Sequence, residues 1–125
     1  MKKYLCLVYG EEALLAGMDD RECISYDRSL RDSGRCVSSE ALDPVSTAVT
    51  VRVRHGKLSV SDGPFAETKE HLAGFYLVEA RDLNEAIQIA AKIPPARIGC
   101  IEVRPIRVLR EDPDSGLVPD VRELT

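Results

Sequence analysis

The stretch GFYLVEARDLNEAIQIAA, residues 74–91, decides the fold, because it contains a strand followed at once by a helix. Side chains alternate between two faces along residues 74–80, which predicts a strand. Asp82 and Glu85 have the spacing of a capping box and predict where the helix begins. Pro94 and Pro95 end it. The predicted buried stripe has helical spacing and consists of Leu83, Ala86, Ile87, Ala90 and Ala91.

The rest of the chain contains further strands and one more long helix. The strands are predicted at residues 3–9, 36–42, 47–54, 58–61 and 100 to about 109. Asp19 or Asp20 caps a helix that runs to about Ser33, with Gly34 as its left-handed stop. Its buried stripe of Cys23, Tyr26 and Leu30 is thin. Residues 11–18 form a linker or a short helix.

This order of elements predicts an α+β fold, a ferredoxin-like sandwich with an antiparallel sheet and both helices on one face. The opposite face mixes apolar and charged side chains. Its predicted members are Phe75, Leu77, Glu79, Glu102, Arg104, Arg52 and Arg54. Because a half-apolar sheet face usually packs on something, we expect a homodimer that pairs sheet to sheet.

Charge and hydropathy exclude several classes of protein. The net charge of −4 argues against electrostatic binding to nucleic acid. The acidity is concentrated in residues 111–125, so we divide the chain into a domain at 1–110 and an acidic C-terminal tail at 111–125. No stretch approaches the ~20 apolar residues that span a bilayer, and none resembles an export signal. We therefore expect a cytoplasmic protein with no membrane partner.

The four cysteines are widely spaced and contain no Cys-x-x-Cys pair. That spacing predicts no metal site, and no cofactor motif is present. We expect four reduced thiols, with Cys6 and Cys100 shielded inside their strands. A catalytic thiol is the alternative.

The tetrapeptide Asp62-Gly63-Pro64-Phe65 is the most distinctive motif in the chain. It favours a tight turn, because Asp bonds nearby amides, Gly allows close backbone approach and Pro fixes φ. One interpretation is purely structural, with the Phe65 side chain packed in the core. The other is a rigidly held carboxylate at the mouth of a cleft, able to accept a proton or bind a ligand.

The block DGPFAETK at 62–69, followed by LAGFYLVEA at 72–80, resembles the YCII-related, DGPF-domain family of bacterial proteins. IEVRP at 101–105 resembles the closing strand of that family, and residues 4–9 its opening strand. The resemblance spans roughly residues 2–108. It implies a ferredoxin-like fold in a dimeric α/β barrel. Members are mostly uncharacterised, and some are encoded beside extracytoplasmic-function sigma factors.

The resemblance assigns the motif's acid to Asp62 and its remaining positions to Gly63, Pro64 and Phe65, with Lys69 in the block that follows. Related proteins are thought to carry a His–Asp pair in a cleft, which suggests enzymatic activity. Neither His55 nor His71 matches that histidine, and both are expected to be exposed polar residues.

Two hypotheses about function follow. The first is a homodimeric ligand-binding or regulatory module, associated through the resemblance with sigma-factor regulation. Its polar cleft lies near the DGPF motif, and the small ligand is contacted by Arg52, Arg54, Gly63, Pro64, Phe65, Lys69, Glu79 and Glu102. In the competing interpretation, the charged side chains on the open face bind no ligand and form structural salt bridges at the edge of the interface. The alternative is a small enzyme that uses Asp62 as general acid or base.

Overall fold

A computed structural model describes residues 1–111 of the chain. The predicted acidic tail lies almost wholly outside the described residues. The strands are β1 (Lys2–Gly10), β2 (Cys36–Ala41), β3 (Val49–Arg54), β4 (Lys57–Asp62), β5 (His71–Ala80) and β6 (Cys100–Pro105). The helices are α1 (Glu12–Leu15), α2 (Asp20–Asp32) and α3 (Leu83–Ala91), with short 3₁₀ helices at Val45–Thr47 and Pro94–Arg97. No helix within the described residues is long and apolar enough to cross a membrane.

Four strands form one antiparallel sheet in the order β2-β5-β1-β6. With α2 and α3 as the crossover helices, this is the topology expected of a ferredoxin-like α+β fold. Strands β3 and β4 form a separate two-stranded hairpin. The prediction that Arg52 and Arg54 share the open face of the main sheet is therefore wrong. Alternation along β3 fixes which residues share a face, but it does not determine which sheet the strand joins.

The core lies between the main sheet and the two long helices. Its buried members are Tyr4, Cys6, Val8, Leu30, Tyr76, Val78, Ala80, Ala86, Ala90 and Ile93. Because the buried residues of β1 and β5 alternate with half-buried ones, the opposite face of the sheet carries Leu5, Leu7, Phe75 and Leu77. The helix face and the open face predicted for β5 are confirmed.

Asp82 is the N-cap of α3, as the capping box predicts. The Asp82 carboxylate accepts a hydrogen bond from the Glu85 backbone N–H at 2.9 Å. The Glu85 carboxylate accepts in turn from the backbone N–H of Arg81 at 3.1 Å, one residue before the expected Asp82. The Glu85 carboxylate also forms ion pairs with Arg81 and Arg35, and these contacts fix its position.

The buried stripe of α3 is rotated from the prediction. Ala86 and Ala90 are buried as expected, but Leu83 and Ile87 are about half exposed. Ile89 packs on the core instead. Ile93, just beyond the helix, is almost fully buried, and it extends the stripe in the direction of Ile89.

Helix α2 has little apolar surface to bury. Asp19 caps it by accepting from the Arg21 backbone N–H at 2.9 Å, and Gly34 follows its end with φ +77°. Leu30 is its one buried residue. The Tyr26 hydroxyl donates to the Ile89 carbonyl at 2.7 Å, which ties α2 to α3.

Strand β6 ends at Pro105, earlier than the predicted end near residue 109. The backbone N–H of Ile106 still donates to the Lys3 carbonyl at 3.0 Å, but residues 106–110 have no strand conformation and are exposed. The prediction that Cys100 is shielded is also wrong, because it lies exposed at the start of this edge strand. Cys6 is fully buried, as predicted.

We expect Cys6 to be the slowest of the four thiols to react with iodoacetamide in the native protein. Its side chain is inaccessible, and burial raises its pKa to about 11, so the reactive thiolate is scarce. Peptide mass spectrometry after timed alkylation measures each rate. Full denaturation should bring Cys6 to the rate of the other three thiols. Native labelling of Cys6 as fast as Cys100 would contradict the packing.

Candidate functional site

A cavity of about 550 Å³ lies on the helix side of the sheet, between α2 and the half of the sheet formed by β2 and β5. Helix α1 and the loop after β2 also border it. The lining is mainly apolar, with a few polar groups. It includes Leu15, Cys23, Ile24, Leu42, Ala73 and Tyr76 together with Asp27, Ser39 and His71.

The thin apolar stripe of α2 explains why space remains here. The N-terminal half of the helix presents Cys23 and Ile24 to the cavity, where larger inward side chains would meet the sheet. The Cys23 thiol lies 3.9 Å from the sulfur of Met18. Farther along the helix, the rings of Tyr26 and Tyr76 pack edge to face with centroids 6.0 Å apart. Helix α2 therefore packs against the sheet at its middle, and it packs less closely at its beginning.

A polar cluster connects α2 to the edge strand β2. The Asp27 carboxylate accepts from the Ser39 hydroxyl and, at 2.9 Å, from Nε of Arg31. Arg31 also donates to the Ser39 hydroxyl at 3.0 Å. Burial by itself raises the pKa of Asp27, but the hydrogen bonds from Ser39 and Arg31 outweigh it and the pKa lies below its usual value. Asp27 is therefore an anion at neutral pH, fixed at the wall of the cavity.

The far end of the cavity is held by Glu12 of α1. Its carboxylate accepts from the backbone N–H of Val45 at 2.7 Å, which draws the loop after β2 onto the short helix. Asp43 and Pro44 of this loop then form part of the lining.

The floor of the cavity depends on Gly74 and a bulge in β5. Val8 pairs with Gly74 and Tyr9 with Leu72, so that Ala73 is left out of the ladder and packs against the core. A Cβ at residue 74 would lie 2.6 Å from the Glu40 carbonyl oxygen of β2. Only glycine lets the two strands approach this closely. The glycine within LAGFYLVEA therefore has a packing reason.

The DGPF segment lies away from the cavity. Asp62 is the exposed last residue of β4, opposite Val49. Gly63 has φ +93°, donates its N–H to the Ala48 carbonyl at 2.7 Å and accepts from the Thr50 hydroxyl at 2.8 Å. The chain therefore bends at Gly63, where the positive φ favours glycine.

Phe65 does not plug the core. Its side chain is 82% exposed, and Pro64 beside it is exposed as well. At this exposure the aromatic ring packs little against its own subunit.

The remaining predicted contact residues lie in three places. Arg52 and Arg54 are on the exposed hairpin. Lys69 forms an ion pair with Glu11, next to α1, at 3.1 Å. Glu79 and Glu102 lie on the open face of the main sheet, on strands β5 and β6 that flank β1. In the single chain these residues do not form one cleft.

His71 and Asp27 lie in surroundings that differ from the sequence-based expectation. His55 is exposed in the β3–β4 turn, as predicted, but His71 is half-buried and lines the cavity. Sequence reasoning missed Asp27 as a site residue. The sequence contained a signal for this residue. Asp27 follows Cys23 by four residues, on the inward side of the helix, where a carboxylate needs a polar partner.

Cys23 contributes a thiol to the lining of the cavity. Burial, followed by the nearby Glu22 and Asp20 carboxylates, raises the pKa of Cys23, so its thiol is protonated at neutral pH. Residues 1–111 contain no group of three or more His, Cys, Asp and Glu side chains placed to hold a metal ion.

Two comparisons with known proteins identify the family of this chain. The family model of the YCII-related domain matches residues 2–110. A protein of Rhizobium meliloti (strain 1021), described as uncharacterized, is 33% identical over 116 residues, which cover 86% of this chain and 94% of the relative. The match takes in the sheet, both long helices and the hairpin, and on this ground the chain belongs to the YCII-related domain family.

Proposed function

We propose that this protein is a homodimeric module that binds a small organic molecule in the cavity between α2 and the β2–β5 half of the sheet. The cavity itself carries the proposal. Its volume of about 550 Å³ is within the range of ~300–1,000 Å³ typical of small-molecule sites. An apolar lining with a few fixed polar groups, here Asp27, Ser39 and His71, is the usual composition of such a site.

The cavity supports binding better than it supports acid–base catalysis by Asp62. That carboxylate is exposed at the end of the hairpin and does not line the cavity. The catalytic role of Asp62 stays a prediction, as does a regulatory connection to a sigma factor. Either would require the DGPF turn to meet a cleft that the single chain does not form.

Two apolar surfaces support the dimer. The first is the open face of the main sheet, with Leu5, Leu7, Phe75 and Leu77. The second is one face of the β3–β4 hairpin, whose side chains are between 57% and 68% exposed. The members of this second surface are Val49, Val51, Val53, Leu58 and Val60.

The hairpin gives the stronger argument for a partner. An isolated two-stranded hairpin is marginally stable in water, and this one carries an uncovered apolar face. Its opposite face is polar and cationic, with Arg52, Arg54 and Lys57. A second copy supplies what is missing, because a two-fold pair offers each hairpin the apolar sheet face of the partner.

We expect sedimentation at micromolar concentration to give twice the chain mass of 13.8 kDa. Leu77→Lys places a charge on the open sheet face and should shift the population toward monomer. Ile87→Lys makes the same change at a half-exposed apolar residue on α3, away from that face, and should leave the dimer intact. A monomeric wild type, or equal dissociation by the two variants, would contradict the proposed interface.

Cavity binding is tested with naphthol, a neutral aromatic probe, and a variant that fills the space. Cys23→Phe directs a ring into the cavity and should change the free energy of unfolding by less than about 1 kcal/mol. Ala90→Phe, in the packed core, should cost about 1–3 kcal/mol. Naphthol titrated into wild type should give saturable shifts in the protein's NMR spectrum, and Cys23→Phe should abolish them. Unchanged naphthol binding by the Cys23→Phe variant would contradict the assignment of the site to this cavity.

A further inference from the structure

The ionisable side chains around the cavity are almost all acidic. Five acidic residues and one histidine line it, and among the described residues that form the lining there is no lysine or arginine. The acidic residues are Glu12, Asp20, Asp27, Glu40 and Asp43. Alternation along β2 turns the Glu40 side chain toward the opposite sheet face, since Ser39 faces α2. Four carboxylates therefore border the cavity, and because Asp27 is paired with Arg31, the excess negative charge comes from Glu12, Asp20 and Asp43.

These carboxylates are held in different ways. Asp27 is bonded by Ser39 and Arg31, and Glu12 by the Val45 backbone N–H. Asp20 and Asp43 are exposed, at the beginning of α2 and in the loop after β2. They lie on two separate elements that both border the cavity. The Nε of Arg31 is engaged by Asp27 at 2.9 Å.

An anion entering this cavity would meet acidic groups from several elements, whereas a cation would be attracted to them. The apolar walls formed by residues such as Leu15, Ile24 and Leu42 favour a hydrocarbon or aromatic body. We propose that the cavity binds a hydrophobic amine. Its ammonium group lies toward the acidic rim, formed by the exposed carboxylates of Asp20 and Asp43, and its apolar body lies against α2 and the sheet. This inference rests on the proposed function, since it specifies the ligand class of the same site.

The test uses three ligands with one body and three head groups: phenylpropylamine, phenylpropanol and phenylpropanoate. At pH 7 and low salt, the amine should bind on the order of tenfold more tightly than the carboxylate, with the alcohol between them. Added salt should narrow the difference, because the rim carboxylates are exposed and screened. Calorimetric titration of the whole protein measures the three affinities.

Charge variants show whether the rim is responsible. The double variant Asp20→Asn/Asp43→Asn should lose most of the preference for the amine while its affinity for phenylpropanol stays unchanged. Asp32→Asn/Glu67→Gln removes the same net charge at exposed residues outside the lining and should keep the preference. An equal loss in both double variants would mean that overall charge sets the preference, and the inference would be overturned.

The remaining outcomes separate this inference from the proposed function. Equal or tighter binding of phenylpropanoate overturns the amine assignment, while saturable naphthol binding that Cys23→Phe abolishes would still support the cavity. If none of the three ligands binds, the amine assignment fails. If naphthol fails as well, the proposed function fails with it.

Discussion

The attachment of α2 to the sheet is the constraint on which the helix side of this protein depends. The helix has one buried residue, Leu30, and so receives little stabilisation from apolar burial. Polar contacts supplement that packing: Asp27 with Ser39 and Arg31 toward β2, and the Tyr26 hydroxyl toward the backbone of α3. Since these contacts lie in the middle of the helix, its first turns stand over the sheet without filling the space beneath them. The cavity is the direct consequence of this arrangement.

The two faces of the sheet have different roles. The helix side holds the core and the cavity, and the proposed function places ligand recognition there. The same proposal uses the open side and the apolar face of the β3–β4 hairpin as surfaces for a second copy of the chain. In the proposed dimer the DGPF segment serves assembly, because it follows the hairpin and leaves Phe65 exposed at 82%. An aromatic ring so exposed is available to pack on a second subunit.

The sequence predicted the strands and helices well where local signals were strong. The strand at 74–80, the Asp82 cap, the Gly34 stop and the β3–β4 hairpin all follow from alternation, capping and turn chemistry. It misplaced Arg52 and Arg54, because alternation does not determine which sheet a hairpin joins. The rotation of the α3 stripe depends on Ile93, which lies outside the helix. The cavity could not be predicted, since it results from how α2 sits on β2, although Asp27 on the inward side of α2 was a visible signal.

The central claim is that the ligand site lies under α2 and not at the DGPF turn. Amide chemical-shift mapping of isotope-labelled protein during titration with phenylpropylamine tests this most directly. The account predicts that the largest shifts fall in α1, in the first turns of α2 and in residues 39–44 and 71–76. Shifts concentrated instead at residues 62–69 and on the hairpin, with α2 unperturbed, would contradict it.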